Sequence, residues 1–217
     1  MSRWCRNAAV LFFALAAASC KHKIKNVEPV DPFMAIPTGA LGVTSFSGSK
    51  VLLLTAGGLV TGDSANPIPE LETRRTALLE SANSLLDSAL RRDGREVIWM
   101  GLAEQRREAR LNPTLALEPD RMPTSELFPQ QVDRVPDPLW GRVRQLAALT
   151  SARYAVVPAG VKISGTPGAL TAHYIIVVVD ARAGNVLYRS RSTGSVAATP
   201  EAALASAAGR IVATPLH

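Results

Sequence analysis

Leu170–Asp180 reads LTAHYIIVVVD, Val186–Val196 reads VLYRSRSTGSV, and the two are joined around Ala183-Gly184-Asn185. The first run is dense in β-branched residues, and the joint is short and carries a glycine, which is the spacing of a β-hairpin. A hairpin alone is marginal in water, so it needs further strands to pair with and a layer to cover it. Both are found upstream. Arg153–Ile163 (RYAVVPAGVKI) is a third strand, in which Pro158 predicts a sheet edge or a bulge because proline brings no N–H to a ladder. Val51–Leu54 (VLLL) is a continuous apolar run bounded by Lys50 and by Gly57-Gly58, as in a central strand buried on both faces. Glu96–Met100 (EVIWM) is a further short strand.

Helical signals alternate with these. From Pro69 to Arg92, Leu71, Leu78, Ala82, Leu85 and Ala89 recur at helical spacing, and the pattern stops at Asp93-Gly94, where glycine suits a left-handed end. Leu102–Leu111 is dense in Arg and Glu and reads as a solvated helix. Leu139–Ser151 forms a helical face through Leu139, Val143, Leu146 and Ala147. Thr199 is placed to cap a last helix that has Pro200 at its first position and Glu201 at its positive end. The order β-α-β-α, a Pro-rich insertion, then α-β-β-β-α predicts an α/β fold. It is a single domain over residues 51–217, with a mixed sheet of about five strands and helices packed on it.

The insertion, residues 112–138, contains six prolines, Pro113, Pro119, Pro123, Pro129, Pro136 and Pro138. No regular element survives that density for long. Its acids, Glu118, Asp120, Glu126, Asp133 and Asp137, are the residues a carboxylate-based hydrolase would draw on. Five acids in a polar loop are also ordinary solvation. Its apolar residues, with Leu127 and Phe128 foremost and Trp140 just beyond, are candidate partner-binding anchors that could equally pack back on the domain.

The N-terminus carries an address. Arg3 and Arg6 precede an apolar stretch, Ala8–Ala18, of 11 residues. As a helix it is about 16 Å long, half of a ~30 Å hydrocarbon core, so residues 1–19 read as a cleavable secretory signal and not as a membrane span. Ala17-Ala18-Ser19-Cys20 resembles the lipobox of bacterial lipoproteins, in which the peptide is cut before the cysteine and its thiol is acylated. That resemblance implies cleavage between Ser19 and Cys20, with Cys20 as the lipidation site. Cys5, the other of the two cysteines, would leave with the signal, so no disulfide is expected. Residues 20–50, with Pro29, Pro32, Pro37, Gly39, Gly42 and Gly48, read as the anchor and a flexible tether, with a short strand at Leu41–Phe46. Lys21 stands where enterobacterial lipoproteins retained in the inner membrane carry Asp, which implies the outer membrane, facing the periplasm.

The formal charge is +6, yet the cations are scattered, and no basic stripe with interleaved aromatics points to nucleic acid. No nucleophile elbow, His-Glu-x-x-His pair, phosphate loop or two-cysteine clip occurs, so no catalytic residue, metal ligand or cofactor is assigned. His173, beside Tyr174 in an alternating strand, is expected to face outward. Gly57-Gly58 reads as a plain strand-end turn, lacking the spacing and lysine of a phosphate loop.

Several stretches together carry a family likeness. They are Val51–Val60, Leu71–Arg92, Glu96–Met100, GRVRQLAALTSARYAVV at Gly141–Val157 and VDARAGNVL at Val179–Leu187. They resemble a group of bacterial envelope domains that includes the amino-terminal domain of the translocation protein TolB, the curli-export lipoprotein CsgG and the lipoprotein activators of penicillin-binding proteins. The resemblance implies a non-enzymatic lipoprotein whose head binds other envelope proteins as an assembly or regulatory module. Its partners would be the membrane, through the lipid, and other envelope proteins, with a homo-oligomeric ring as a further option. The rival class is a periplasmic hydrolase using the carboxylates of 112–138.

Overall fold

The computed structural model describes residues 31, 33–62, 68–128 and 132–212. Its centre is the ribbon the sequence predicts. Strands β4 (Tyr154–Thr166) and β5 (Ala169–Asp180) pair antiparallel along their whole length, and β6 (Asn185–Thr193) continues the meander. On the other edge of β4 lie two short parallel strands, one after the other. These are β1 (Lys50–Leu53), opposite Tyr154–Val156, and β2 (Leu59–Thr61), opposite Val161–Ile163. Strand β3 (Ile98–Met100) lies parallel to β1 and completes a mixed sheet of six strands in the order β3-β1-β4-β5-β6, with β2 beside β4. The strand not predicted is β2. Three residues after a Gly-Gly turn carry no period of their own.

Pro158 sits at a bulge of the central strand, not at an edge. It falls between the stretch of β4 that pairs with β1 and the stretch that pairs with β2, where no ladder needs its N–H.

The long helix is broken. Pro69–Thr73 (α1) and Arg75–Asp93 (α2) are separated at Arg74, whose ψ of 7° leaves the helical range. Gly94 ends α2 at φ −111°, not in the left-handed region. Glycine is needed there for space, since a Cβ would stand 2.9 Å from the Leu90 carbonyl oxygen and 3.1 Å from the Trp99 ring. The remaining helices are α3 (Leu102–Leu111), α4 (Leu139–Thr150) and α5 (Pro200–Val212), with the Thr199 hydroxyl accepting from Ala202 N–H at 3.3 Å as the cap.

Alternation along the strands divides the core. Leu53, Val156, Val161, Ile163, Tyr174, Ile176 and Val178 face α2 and α5. Leu52, Leu54, Ala155, Val157, Ile175, Val177 and Val179 face α4 and the Pro-rich segment. The sheet is therefore buried on both sides, as its apolar runs require. On the first side the Tyr174 phenol, pushed up by burial, donates to the Ala82 carbonyl at 3.0 Å.

The expected tether is corrected over most of its described length. The folded unit begins at Asp31, not at residue 51, and residues 33–46 form a strap around the β6 edge. Phe33 and Ile36 are buried on the α4 side, and Leu41, Val43 and Phe46 on the α2/α5 side. Between them Thr38 makes a parallel bridge to Arg191, with Arg191 N–H donating to Pro37 at 2.8 Å and Gly39 N–H to Arg191 at 3.3 Å. Leu41 N–H then reaches the Ile211 carbonyl at 2.6 Å. In place of a strand at Leu41–Phe46, a 3-10 turn spans Val43–Phe46. The apolar residues here follow no period, so pattern reading sees only prolines and glycines.

Asp31 fastens the start of the strap by an ion pair with Lys162, which is buried in β4. Burial alone would raise the Asp31 carboxyl, but the Lys162 ammonium and the Phe33 N–H outweigh it and hold the group below its ordinary value. A depressed folded-state value means stability present above the unfolded value of about 3.9 and lost as pH falls through the folded one. Asp31→Asn should therefore be less stable than the native chain at pH 7, by about 2 kcal/mol. Urea titrations should show that gap closing between about pH 5 and pH 2; a gap independent of pH would contradict the pair.

Candidate functional site

Ser19 and Cys20 lie outside the described residues. The three anchors proposed for a partner do not stand on an open surface. Leu127 is 0% exposed and belongs to the core beneath the sheet face. Phe128 stacks at a tilt on Phe33, with ring centroids 4.8 Å apart, and both rings rest on Gly160, where a Cβ would lie 3.0 Å from Phe128 and 3.3 Å from Phe33. Trp140 is half-buried against Gly184, which has φ +75° and leaves no room for a Cβ, the nearest indole atom being 2.8 Å away. Leu127 and Phe128 close the core because short 3-10 turns, Thr124–Leu127 among them, fold the Pro-rich segment back onto the sheet, while Trp140 is placed by the first turn of α4.

Two of the five carboxylates of the segment, Asp120 and Glu118, are engaged by arginines. Asp120 pairs with Arg106 of α3, Nε lying 3.0 Å from each carboxylate oxygen, and this hydrogen bonding holds it below the usual carboxylate range. A general acid needs the opposite shift. Glu118 pairs with Arg121 at 3.7 Å on the exposed surface.

Two other positions differ from expectation or refine it. His173 is buried, not outward-facing: it sits opposite Lys162 beneath the strap end of the sheet, with Nδ1 3.1 Å from the Thr193 hydroxyl. In the Gly57-Gly58 turn, Ala56 N–H donates to Asn83 at 2.8 Å and Gly57 N–H to Thr124 at 2.9 Å. The turn is pinned by its neighbours, with two of its N–H groups occupied.

That pinned turn borders a crevice of about 470 Å3 at the carboxyl ends of β1 and β3. It arises from topology. β1 and β3 are adjacent and parallel, α2 covers one face of the sheet, and α3 leaves β3 to pack against α4 on the other. Helices departing to opposite faces leave an opening at the strand ends, the usual place for a ligand in open α/β sheets. Leu53, Leu54, Leu102 and Ala103 supply its apolar surface. Its polar wall is a stripe of α2, Glu80, Asn83, Ser84, Asp87 and Arg91, with Glu104 of α3 opposite. Arg91 is held between two carboxylates, Nε to Asp87 at 2.9 Å and Nη2 to Glu104 at 3.3 Å. Gly101 lets them close, since a Cβ there would meet Arg91 Nη2 at 2.7 Å and Asp87 Oδ1 at 2.9 Å. Gln105, 1% exposed, ties the floor together by donating to the last carbonyls of both strands, Leu53 at 2.8 Å and Met100 at 2.7 Å. The sequence reading missed this crevice. The i, i+3, i+4, i+7, i+11 polar stripe is visible in sequence, but it reads as a solvated face until β1 and β3 are known to be neighbours.

No family model matches this chain, and no curated protein sequence matches it. Among solved structures it is similar to the LpoB C-terminal domain from Salmonella enterica, at 14% identity and TM-score 0.40, over 71% of this chain and 93% of that one. It is also similar to PelC from Paraburkholderia phytofirmans, solved as a dodecamer, at 12% identity and TM-score 0.39, over 81% of this chain and 89% of that one. A lipoprotein from Neisseria meningitidis gives 11% identity and TM-score 0.34, over 67% and 78% respectively. Likeness of this extent assigns no function to this chain. The resemblance to TolB and CsgG domains stays a reading of sequence.

If Leu127 closes the core, Leu127→Ala should cost about 3 kcal/mol in urea unfolding. Leu115→Ala, at a side chain 40% exposed in the same segment, should change stability by less than about 0.5 kcal/mol. Equal costs would contradict this packing.

Proposed function

We propose that this chain is a lipid-anchored protein of the bacterial cell envelope whose α/β domain binds other envelope proteins as a non-enzymatic assembly or regulatory module. The observation that carries the reading is the Ala17-Ala18-Ser19-Cys20 sequence at the end of the apolar run. Acyl chains on Cys20 would contribute about 0.8 kcal/mol per buried methylene, and more than one chain holds a protein stably at a bilayer. Lys21 after the cysteine favours the outer membrane, with the domain in the periplasm.

The start of the fold at Asp31 sharpens this. Ten residues, 21–30, separate Cys20 from Asp31. Fully extended they span at most about 35 Å. A thirty-residue tether would give the head freedom to roam; ten residues keep it close to the headgroups. Partner contacts are therefore made near the membrane surface. With Leu127, Phe128 and Trp140 committed to the fold, the large apolar side chains exposed near the Pro-rich segment among the described residues are Leu111, at 69%, and Leu115, at 40%. Of the five carboxylates on which a hydrolase reading would draw, Asp120 and Glu118 are paired with arginines, and this favours the binding module.

Cells expressing the chain with radiolabelled palmitate should yield a labelled mature protein whose N-terminal residue is Cys20, and Cys20→Ser should abolish the label. A mature chain without label that starts at another residue would overturn the anchor.

A further inference from the structure

The crevice between α2 and α3 has a charge balance unlike that of the chain that contains it. The whole chain carries +6, yet the crevice is lined by three carboxylates, Glu80, Asp87 and Glu104, against two guanidiniums, Arg91 and Arg106, and Arg106 is paired with Asp120, which lies outside the lining. Arg91 is shared by Asp87 and Glu104, and burial, which alone would lower it, is outweighed by those two acids so that its guanidinium is held above its usual value. Among the described residues, one negative charge of that trio and that of Glu80 have no cation paired with them.

The apolar part is just as informative. Leu54, Leu102 and Ala103 present a greasy surface beside these acids. A ligand with a hydrocarbon stem and a cationic head satisfies both at once, the stem lying on aliphatic carbon and the head reaching carboxylate oxygens. The Asn83 amide, its oxygen occupied by Ala56 N–H at 2.8 Å, keeps its NH2 group available to a polar substituent. The walls are preformed: Gln105 fixes the floor, Asn83 and Thr124 fix the turn after β1, and Gly101 admits the acid pair against the backbone. A preformed site loses little to ordering when a ligand arrives.

We propose that this crevice at the carboxyl ends of β1 and β3 binds a primary alkylammonium group, with Glu80 and the Asp87–Glu104 pair receiving the ammonium and Leu54, Leu102 and Ala103 receiving its methylene stem. The same chemistry is offered by a free aliphatic amine and by a lysine side chain of a polypeptide. The inference stands on the crevice alone and is independent of the lipid anchor.

The test is titration of the full chain with n-pentylamine, followed by amide chemical shifts in NMR, with pentan-1-ol as the uncharged match. Shifts confined to residues 53–55, 80–91 and 101–106 that saturate with the amine and are absent with the alcohol support the site. Glu80→Gln should weaken amine binding about tenfold, the loss of one charge-assisted hydrogen bond. Arg91→Gln, which frees Asp87 and Glu104 from their guanidinium, should strengthen it several-fold, a gain that a merely structural role would not produce. Thermal melts of both variants show whether the fold is kept, and Glu104→Gln replaces Arg91→Gln if that variant unfolds, with weakening expected. The peptide Gly-Lys-Gly against 1,5-diaminopentane identifies the source, the tighter of the two naming it. Absence of saturable amine binding, equal response to the alcohol, or an unchanged affinity in Glu80→Gln would overturn the proposal.

Discussion

Two antiparallel strands, β4 and β5, are apolar on both faces, and that constraint governs the rest of the molecule. A sheet with one oily face is satisfied by one layer of helices; this one needs two. α2 and α5 cover the first face. On the second, α4 reaches only part of the sheet, and the remainder over Gly160 is covered by two aromatic rings from irregular segments, Phe33 of the strap and Phe128 of the Pro-rich insertion. Segments that look ornamental in sequence are structural because the helices run out before the apolar surface does.

The strap solves a second problem as well. β6 ends the sheet, and an exposed edge invites further strand pairing. Residues 37–39 bond to it near Arg191, and residues 133–135 bond to it near Asn185 and Val186, so both ends of the edge are occupied. By passing around that edge, the strap places Phe33 and Ile36 in one core and Leu41, Val43 and Phe46 in the other. The two halves of the interior are thereby stitched by one irregular segment at the start of the folded unit.

What was legible in sequence is what has a period. The hairpin, the VLLL strand, the helical face of Leu139–Ala147 and the capped last helix all emerged as read, since alternation and helical spacing report which side faces inward. Irregular backbone carries no such report. Phe33, Ile36 and Leu127 are core residues in loops, and only the three-dimensional gap over the second sheet face shows why they are needed. His173 misleads for a related reason: alternation gives it a face, but not that the strap would lie over that face. The crevice is legible in half, as a polar stripe on α2 that becomes a wall once β3 pairs beside β1. Glycine reads ambiguously throughout. At Gly94 and Gly101 the need is for space, which sequence does not distinguish from a need for positive φ.

Native-state hydrogen exchange tests the dependence of this fold on its strap most directly. Leu41 N–H, bonded to Ile211 at 2.6 Å, and Arg191 N–H, bonded to Pro37 at 2.8 Å, should exchange as slowly as the amides of Ile175–Val178 in β5, because all of them open only with the whole domain. Exchange of those two amides at rates typical of open loops, with β5 still protected, would contradict the account and return residues 33–46 to the status of a tether.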